Sequence, residues 1–240
     1  MHLFISDLHL SAERPEANER FIGFMEGAAR GAQALYVLGD LFESWIGDDD
    51  IGERFNAVVV GFFAALAKSG TPLYLMHGNR DFLIGRRFCR ATGATLLKDP
   101  AVVEIEGTPT LLMHGDTLCT DDVDYLAWRR KARNPLLQAV FLARSIEKRR
   151  AMSVRMREKS RQVVAGKPAE IMDVNAGAVR EAFRRHGVTR MIHGHTHRPG
   201  RHELEVDGRR CERWVLPDWY GPGGYLEING GKPRLVAFPA

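Results

Sequence analysis

The chain has 240 residues, 45% of them hydrophobic and 27% charged, and carries a formal net charge of +4 at pH 7. Those proportions exclude a disordered or fibrous chain and suit one α/β domain with an insertion, large enough to form a full core. No apolar run approaches the roughly 20 residues of a membrane span, and the chain starts directly on a strand-like run, which argues against a signal peptide.

Leu3-Phe4-Ile5 reads as a short buried strand that runs straight into Asp7-Leu8-His9. Residues 15–30 follow as an amphipathic helix opened by Pro15, with Phe21, Ile22, Phe24 and Met25 on its apolar side. A strand over 34–38 ends at Gly39-Asp40, where the glycine permits a sharp turn that aims the carboxylate. The loop from Phe42 to Asp50 is expected to be exposed, with Trp45 either in the core or part of an apolar wall. Asp48-Asp49-Asp50 is expected to cap the next helix, 51–69, and not to bind metal. A strand over 72–76 leads to His77-Gly78-Asn79-Arg80-Asp81, and a helix lies near 81–92. A hairpin pairing 102–106 with 110–113 then brings the chain to His114-Gly115-Asp116.

From Asp121 the pattern turns helical. Asn134-Pro135 is a cap followed by a first-turn proline, opening the apolar run Leu136 to Leu142. Lys148 to Arg161 is basic, with Met152, Val154 and Met156 between the charges. Residues 129–167 hold 13 Lys+Arg and two acids, a net of +11, while the rest of the chain nets −7. So concentrated a block suits an anionic partner: nucleic acid, acidic lipid or a phosphorylated substrate. A helix of this kind can lie in a membrane interface, line a groove for acyl chains, or simply present a solvated face.

The α/β pattern resumes with a helix over 174–186 and a strand over 188–192 that ends at Gly194-His195-Thr196-His197. The last 40 residues read as antiparallel strands finishing a second sheet. The three cysteines, Cys89, Cys119 and Cys211, are widely spaced, which points to reduced thiols and a cytoplasmic location.

Five apolar runs thus end in Asp7 and His9, Asp40, Asn79, His114, and His195 and His197. Five strands ending in ligand-type residues suggest one site at the carboxyl edge of a sheet. Mixed oxygen and imidazole donors suit first-row transition metals, and seven are too many for one tetrahedral zinc. Two ions sharing a carboxylate would use them all. His77 and His193, each two residues before a ligand, are expected to pack beside the site.

The series DxH, GD, GN, H and GHxH over residues 7–197 resembles the calcineurin-like metallophosphoesterases. Arg80 stands where most of that family has a proton-donating His. Arg80, with Gly47 to Asp50, His114 to Asp122 and His193 to Pro199, is similar to the family's pyrophosphohydrolases that act on UDP-2,3-diacylglucosamine in lipid A biosynthesis. The resemblance implies a four-layer α/β/β/α sandwich over 1–122 and 168–240, with a helical cap at 123–167 as a lid. It implies two Mn2+ ions, the first held by Asp7, His9, Asp40 and His197, the second by Asp40, Asn79, His114 and His195. Asp40 would bridge the ions, and a hydroxide held by both would attack the UMP phosphorus. Arg80 would stabilise charge. Substrate contacts carried over are Asn79, Arg80, Asp122, Ser160, Lys167 and His195, with Tyr125 and Arg157 beside them. At Val164 the family holds a polar side chain that valine cannot replace. The implied partners are a lipid-linked nucleotide and the cytoplasmic surface of the inner membrane, with no nucleic acid.

Overall fold

The structure is a computed structural model that describes residues 1–168 and 171–238. Short, near-continuous apolar runs bury both faces of a strand, so they must be covered twice. β1 (His2–Ile5), β2 (Ala34–Leu38) and β3 (Leu73–Met76) are the first three such runs. They pair in parallel, and β4 (Thr95–Leu96) extends them at one edge. Leu3, Ile5, Leu35, Val37, Leu73 and Leu75 face outward. They pack under α1 (Pro15–Glu26), α2 (Arg54–Lys68) and α3 (Arg86–Thr92), against Phe21, Phe24, Phe63 and Phe88.

The alternate residues Phe4, Tyr36, Leu38 and Met76 face the other way, onto a second sheet. That sheet is built from β5 (Ala101–Ile105), β6 (Thr108–Leu112), β7 (Arg190–His193), β8 (Gly200–Val206) and β9 (Arg209–Val215), in the order β5-β6-β7-β9-β8. Ile105, Leu112, Ile192 and Trp214 supply its half of the inter-sheet core. Its outer face, through Leu111, Met113 and Met191, is covered by Val179 and Phe183 of α7 (Ala176–His186). The result is the expected α/β/β/α layering.

Several expectations need correction. The ligand-bearing strands do not belong to one sheet: β1, β2 and β3 lie in the first, β6 and β7 in the second. The site therefore forms where the carboxyl ends of two stacked sheets meet. The C-terminal strands do not all finish the second sheet either. β10 (Gly224–Asn229) pairs antiparallel with β1, and β11 (Lys232–Ala237) with β10, so both join the first sheet. Trp45 is only 3% exposed, its ring centroid 4.6 Å from Phe42 and 5.2 Å from Phe88. The aspartate run does not cap α2, whose cap is Glu53, accepting from Phe55 N at 2.8 Å and Asn56 N at 3.2 Å. Asp48 instead accepts from Gly85, Arg87 and Phe88 nitrogens at 2.9–3.0 Å and so caps α3 across the loop.

Residues 123–165 form three helices: α4 (Val123–Ala132), α5 (Pro135–Leu142) and α6 (Ile146–Ala165). Among their described residues only Arg149 is buried. They are held to the body chiefly by polar ties. Arg129 Nε donates to Asp116 at 2.6 Å and Arg133 to the Gly78 carbonyl at 2.9 Å. On α6, Arg149, Ser153 and Arg157 recur every four residues and meet Asp49, Ser44 and Glu43 of the loop after β2.

Candidate metal centre

The loops leaving β1 and β2 stay in register beyond the strands: Asp7 N donates to Gly39 O at 3.1 Å and His9 N to Asp40 O at 3.0 Å. That continued pairing puts three side chains on one rim. The backbone there is strained. Asp7, His9, Asp40, His195 and His197 all adopt left-handed φ values of 49–69°. Outside the site, the other two non-glycine residues of positive φ among the described residues, Glu106 and Asp207, sit in hairpin turns before Gly107 and Gly208. Such strain costs on the order of 1–3 kcal/mol per residue and clusters where side chains must be aimed against the backbone's preference.

Close approach also explains the neighbouring glycines. A Cβ on Gly78 would stand 2.1 Å from Asp40 Oδ1, and one on Gly194 2.2 Å from Asp7 Oδ2. Backbone from a different strand passes directly over each carboxylate, which no side chain permits.

Ligand atoms converge in two overlapping groups, Asp7, His9 and His197, and Asp7, Asp40 and His114, the atoms of each lying within 4.8 Å of one another. His197 Nε2 is 3.5 Å from Asp7 Oδ1, and His9 Nε2 is 3.7 Å from Asp40 Oδ2. On the other side His114 Nε2 lies 3.9 Å from Asp40 Oδ1. One end of the Asn79 amide sits 3.0 Å from both His114 Nε2 and His195 Nδ1. Turned with nitrogen there, the amide donates to both rings and its oxygen accepts from Arg80 Nε at 3.3 Å. Turned with oxygen there, it joins the imidazoles as a third donor set for a cation.

The donors fit divalent cations. Asp7 Oδ1 and His9 Nε2 are buried without a hydrogen-bond partner among the described residues. Buried, unpaired polar atoms are costly, and a shared cation is what would satisfy atoms of this type in this arrangement. Supporting contacts orient them. His114 Nδ1 donates to Leu38 O at 2.9 Å, which leaves Nε2 facing Asp40. Ser6 Oγ and His195 N donate to Asp7 Oδ2 at 2.6 and 2.9 Å, and Arg80 N to Asp40 Oδ1 at 2.8 Å.

Titration reflects the same crowding. Burial, then the neighbouring His114 charge, pulls His195 down to about 4, and burial pulls His9 to about 4 against Asp40 and Asp7. Burial also acts to lower His114, but Asp40, Asp7, Asp116 and Asp99 outweigh it and push the ring up to about 9. Burial beside Asp40 raises Asp81 to about 6, although Gly78 N and Leu41 N donate to it at 2.8 and 2.7 Å.

This is a two-sheet, strained-loop cluster of donors that could hold cations, with the basic helices α4–α6 beside it. The calcineurin-like phosphoesterase model matches residues 3–199. The chain belongs to that family. Among curated members, a UDP-2,3-diacylglucosamine hydrolase of Pseudomonas paraeruginosa is 50% identical over 237 residues, covering 99% of this chain and 98% of that protein. Proteins of the same name from Azotobacter vinelandii and Escherichia coli are 48% and 46% identical, each over 99% of this chain and 98% of theirs.

Around the converging donors, the expected substrate contacts fall into two groups. Asn79, Arg80 and His195 lie at the centre, and the Tyr125 ring of α4 is 5.9 Å from that of His195. Tyr125 also donates to Asp116 Oδ2 at 2.5 Å. Arg157 is engaged by Glu43, and Lys167 pairs with Asp122 at 2.5 Å. Ser160 is partly exposed on α6 and Val164 exposed. His77 bonds Ile84 O through Nε2 at 2.7 Å, and His193 is buried with Nδ1 on Gly194 O at 2.8 Å. Sequence reading missed Glu43, Asp99 and Tyr220. The Tyr220 ring centroid lies 4.9 Å from that of His9 and 5.6 Å from that of His197, tilted to both, yet nothing local marks it in the sequence.

Proposed function

We propose that this chain hydrolyses the pyrophosphate bond of UDP-2,3-diacylglucosamine, giving UMP and 2,3-diacylglucosamine 1-phosphate, as a step of lipid A biosynthesis. The observation that carries the reading is the convergence of cation ligands from both sheets, in a chain whose full-length relatives bear that substrate in their name.

Asp7, His9, Asp40 and His197 would hold one Mn2+, and Asp40, Asn79, His114 and His195 the other, Asp40 being the shared carboxylate. Two such cations, when bound, would supply an acidified water and neutralise the charge of a pyrophosphate. Arg80 offers a permanently charged fork for phosphate oxygens beside Asn79. Arginine cannot protonate a leaving group at neutral pH. A sugar phosphate departs as a stable anion and requires no such proton, so Arg80 suits a pyrophosphate better than an alkyl phosphodiester.

Asp122, Tyr125, Arg157, Ser160 and Lys167 are assigned to substrate from the cap, 123–167. The same cap supports a peripheral site of action on the cytoplasmic face of the inner membrane. Leu136, Leu137 and Val140 of α5 are 77%, 52% and 57% exposed within the segment of +11 charge. Apolar side chains amid lysine and arginine favour an anionic interface. Among the described residues no helix is long and apolar enough to cross a membrane.

The direct test is incubation of purified protein with UDP-2,3-diacylglucosamine and Mn2+, following UMP release. UMP production that requires the metal is the expected result. Metal-loaded, folded protein that releases none overturns the assignment.

A further inference from the structure

Glu43 joins three distant parts of the chain at one carboxylate. Arg157 of α6 donates to Oε1, and the Tyr220 hydroxyl donates to Oε2 at 2.9 Å. His9 Nδ1 lies 3.1 Å from that same Oε2. The Nδ1–H direction misses the oxygen, so the contact is a close electrostatic one and not a hydrogen bond. The Glu43 and Arg157 side chains are 19% and 12% exposed, and their pairing is shielded from bulk water.

We infer that Glu43 is a positioning residue: it holds His9 with Nε2 turned toward Asp7 and Asp40, and through Arg157 it links that orientation to the seating of α6. A neutral imidazole that binds a cation through Nε2 carries its proton on Nδ1. A carboxylate at Nδ1 favours that tautomer and raises the basicity of the opposite nitrogen. His9 Nε2 faces Asp7 Oδ1 at 4.0 Å and Asp40 Oδ2 at 3.7 Å, so this is the nitrogen the cation site uses. A free glutamate would sample many rotamers. Arg157 and Tyr220 grip both oxygens and leave Glu43 in the one that meets His9. Glu43 itself belongs to neither ligand group. The inference rests on the metal-centre reading above, and its consequence is that a displaced cap weakens one cation site without touching any ligand.

The experiment is titration of metal-stripped, full-length protein with Mn2+ by calorimetry, which reads binding and not turnover. For wild type, two sites are expected. Glu43→Ala should weaken one of them roughly 10–100-fold and leave the other at wild-type affinity, an internal control for folding. Glu43→Gln keeps an oxygen beside Nδ1 but loses the charge, and should recover only part of the loss. Arg157→Ala should weaken the same site severalfold, and add nothing in the Glu43→Ala background. Unchanged titration of Glu43→Ala, equal weakening of both sites, a glutamine variant no better than alanine, or additive effects of the two substitutions would each overturn the inference. A wild-type chain that takes up no Mn2+ removes the metal centre and this inference with it, which separates that failure from the others.

Discussion

Arg149 of α6 buries its guanidinium against Asp49 of the loop after β2, with Nη1 donating to Asp49 Oδ1 at 2.8 Å and to Ile46 O at 2.7 Å. Arg149 is 1% exposed while Asp49 is half exposed, so the arginine is the partner that needs the bond.

Arg149→Ala is therefore expected to cost about 1–3 kcal/mol, largely by orphaning the Ile46 carbonyl. Arg149→Lys should rescue little, because an ammonium cannot reproduce the two-pronged geometry. Asp49→Asn should be milder but not neutral, because the amide oxygen still accepts one bond while the buried guanidinium loses its counter-charge. Thermal unfolding gives the ranking, and hydrogen exchange should localise the loosening to α6.

The sequence made the site legible where chemistry sits directly after an apolar run. Asp7, Asp40, Asn79, His114 and His195 each follow a strand or its turn, so order along the chain carries their meeting place. Layering was legible as well, because Leu3 and Ile5 alternate with Phe4 between the two faces of one strand. Partnerships over long separations were not. Nothing near Asp48 says that it caps α3, 37 residues away at Gly85. Likewise β10 is as apolar as a strand of either sheet, and only its antiparallel fit beside β1 decides its place. Glu43 and Tyr220 lie 177 residues apart and carry no motif.

Asp40→Asn should separate charge from structure. Its carbonyl oxygen can still accept from Arg80 N, which Asp40 Oδ1 now does at 2.8 Å, so the loop is expected to hold. The shared negative charge is lost, and with it cation binding and turnover, by orders of magnitude. Elemental analysis together with UMP release checks this. Two tightly held ions and near-normal turnover in the variant would refute the bridging role.

Arg80→His is expected not to restore the proton-donating chemistry common in the family, because charge stabilisation, not protonation, is the proposed task. Arg80→Ala should lose comparable activity, and Arg80→Lys should keep part of the charge without the fork. Full activity in the histidine variant, with a new bell-shaped pH profile, would show that a general acid was wanted after all.

The α5 surface separates membrane docking from catalysis. The helix buries none of its residues, so Leu136→Glu, Leu137→Glu and Val140→Glu together should leave thermal unfolding and Mn2+ uptake near wild type. Each of these side chains is worth about 1.5–3 kcal/mol when fully transferred from water, and roughly half of that is available to partly exposed groups. Their combined loss, with three charges of the wrong sign added, should lower partition onto anionic vesicles by about a thousandfold. Co-sedimentation with vesicles of defined anionic lipid content measures it. Wild-type binding should also weaken as salt rises, because the basic residues of 129–167 act through a screened field. Should the triple variant bind vesicles like wild type, α5 is no docking surface. Should it lose vesicle binding and, equally, UMP release from detergent-dispersed substrate, then α5 serves substrate capture as well as the membrane.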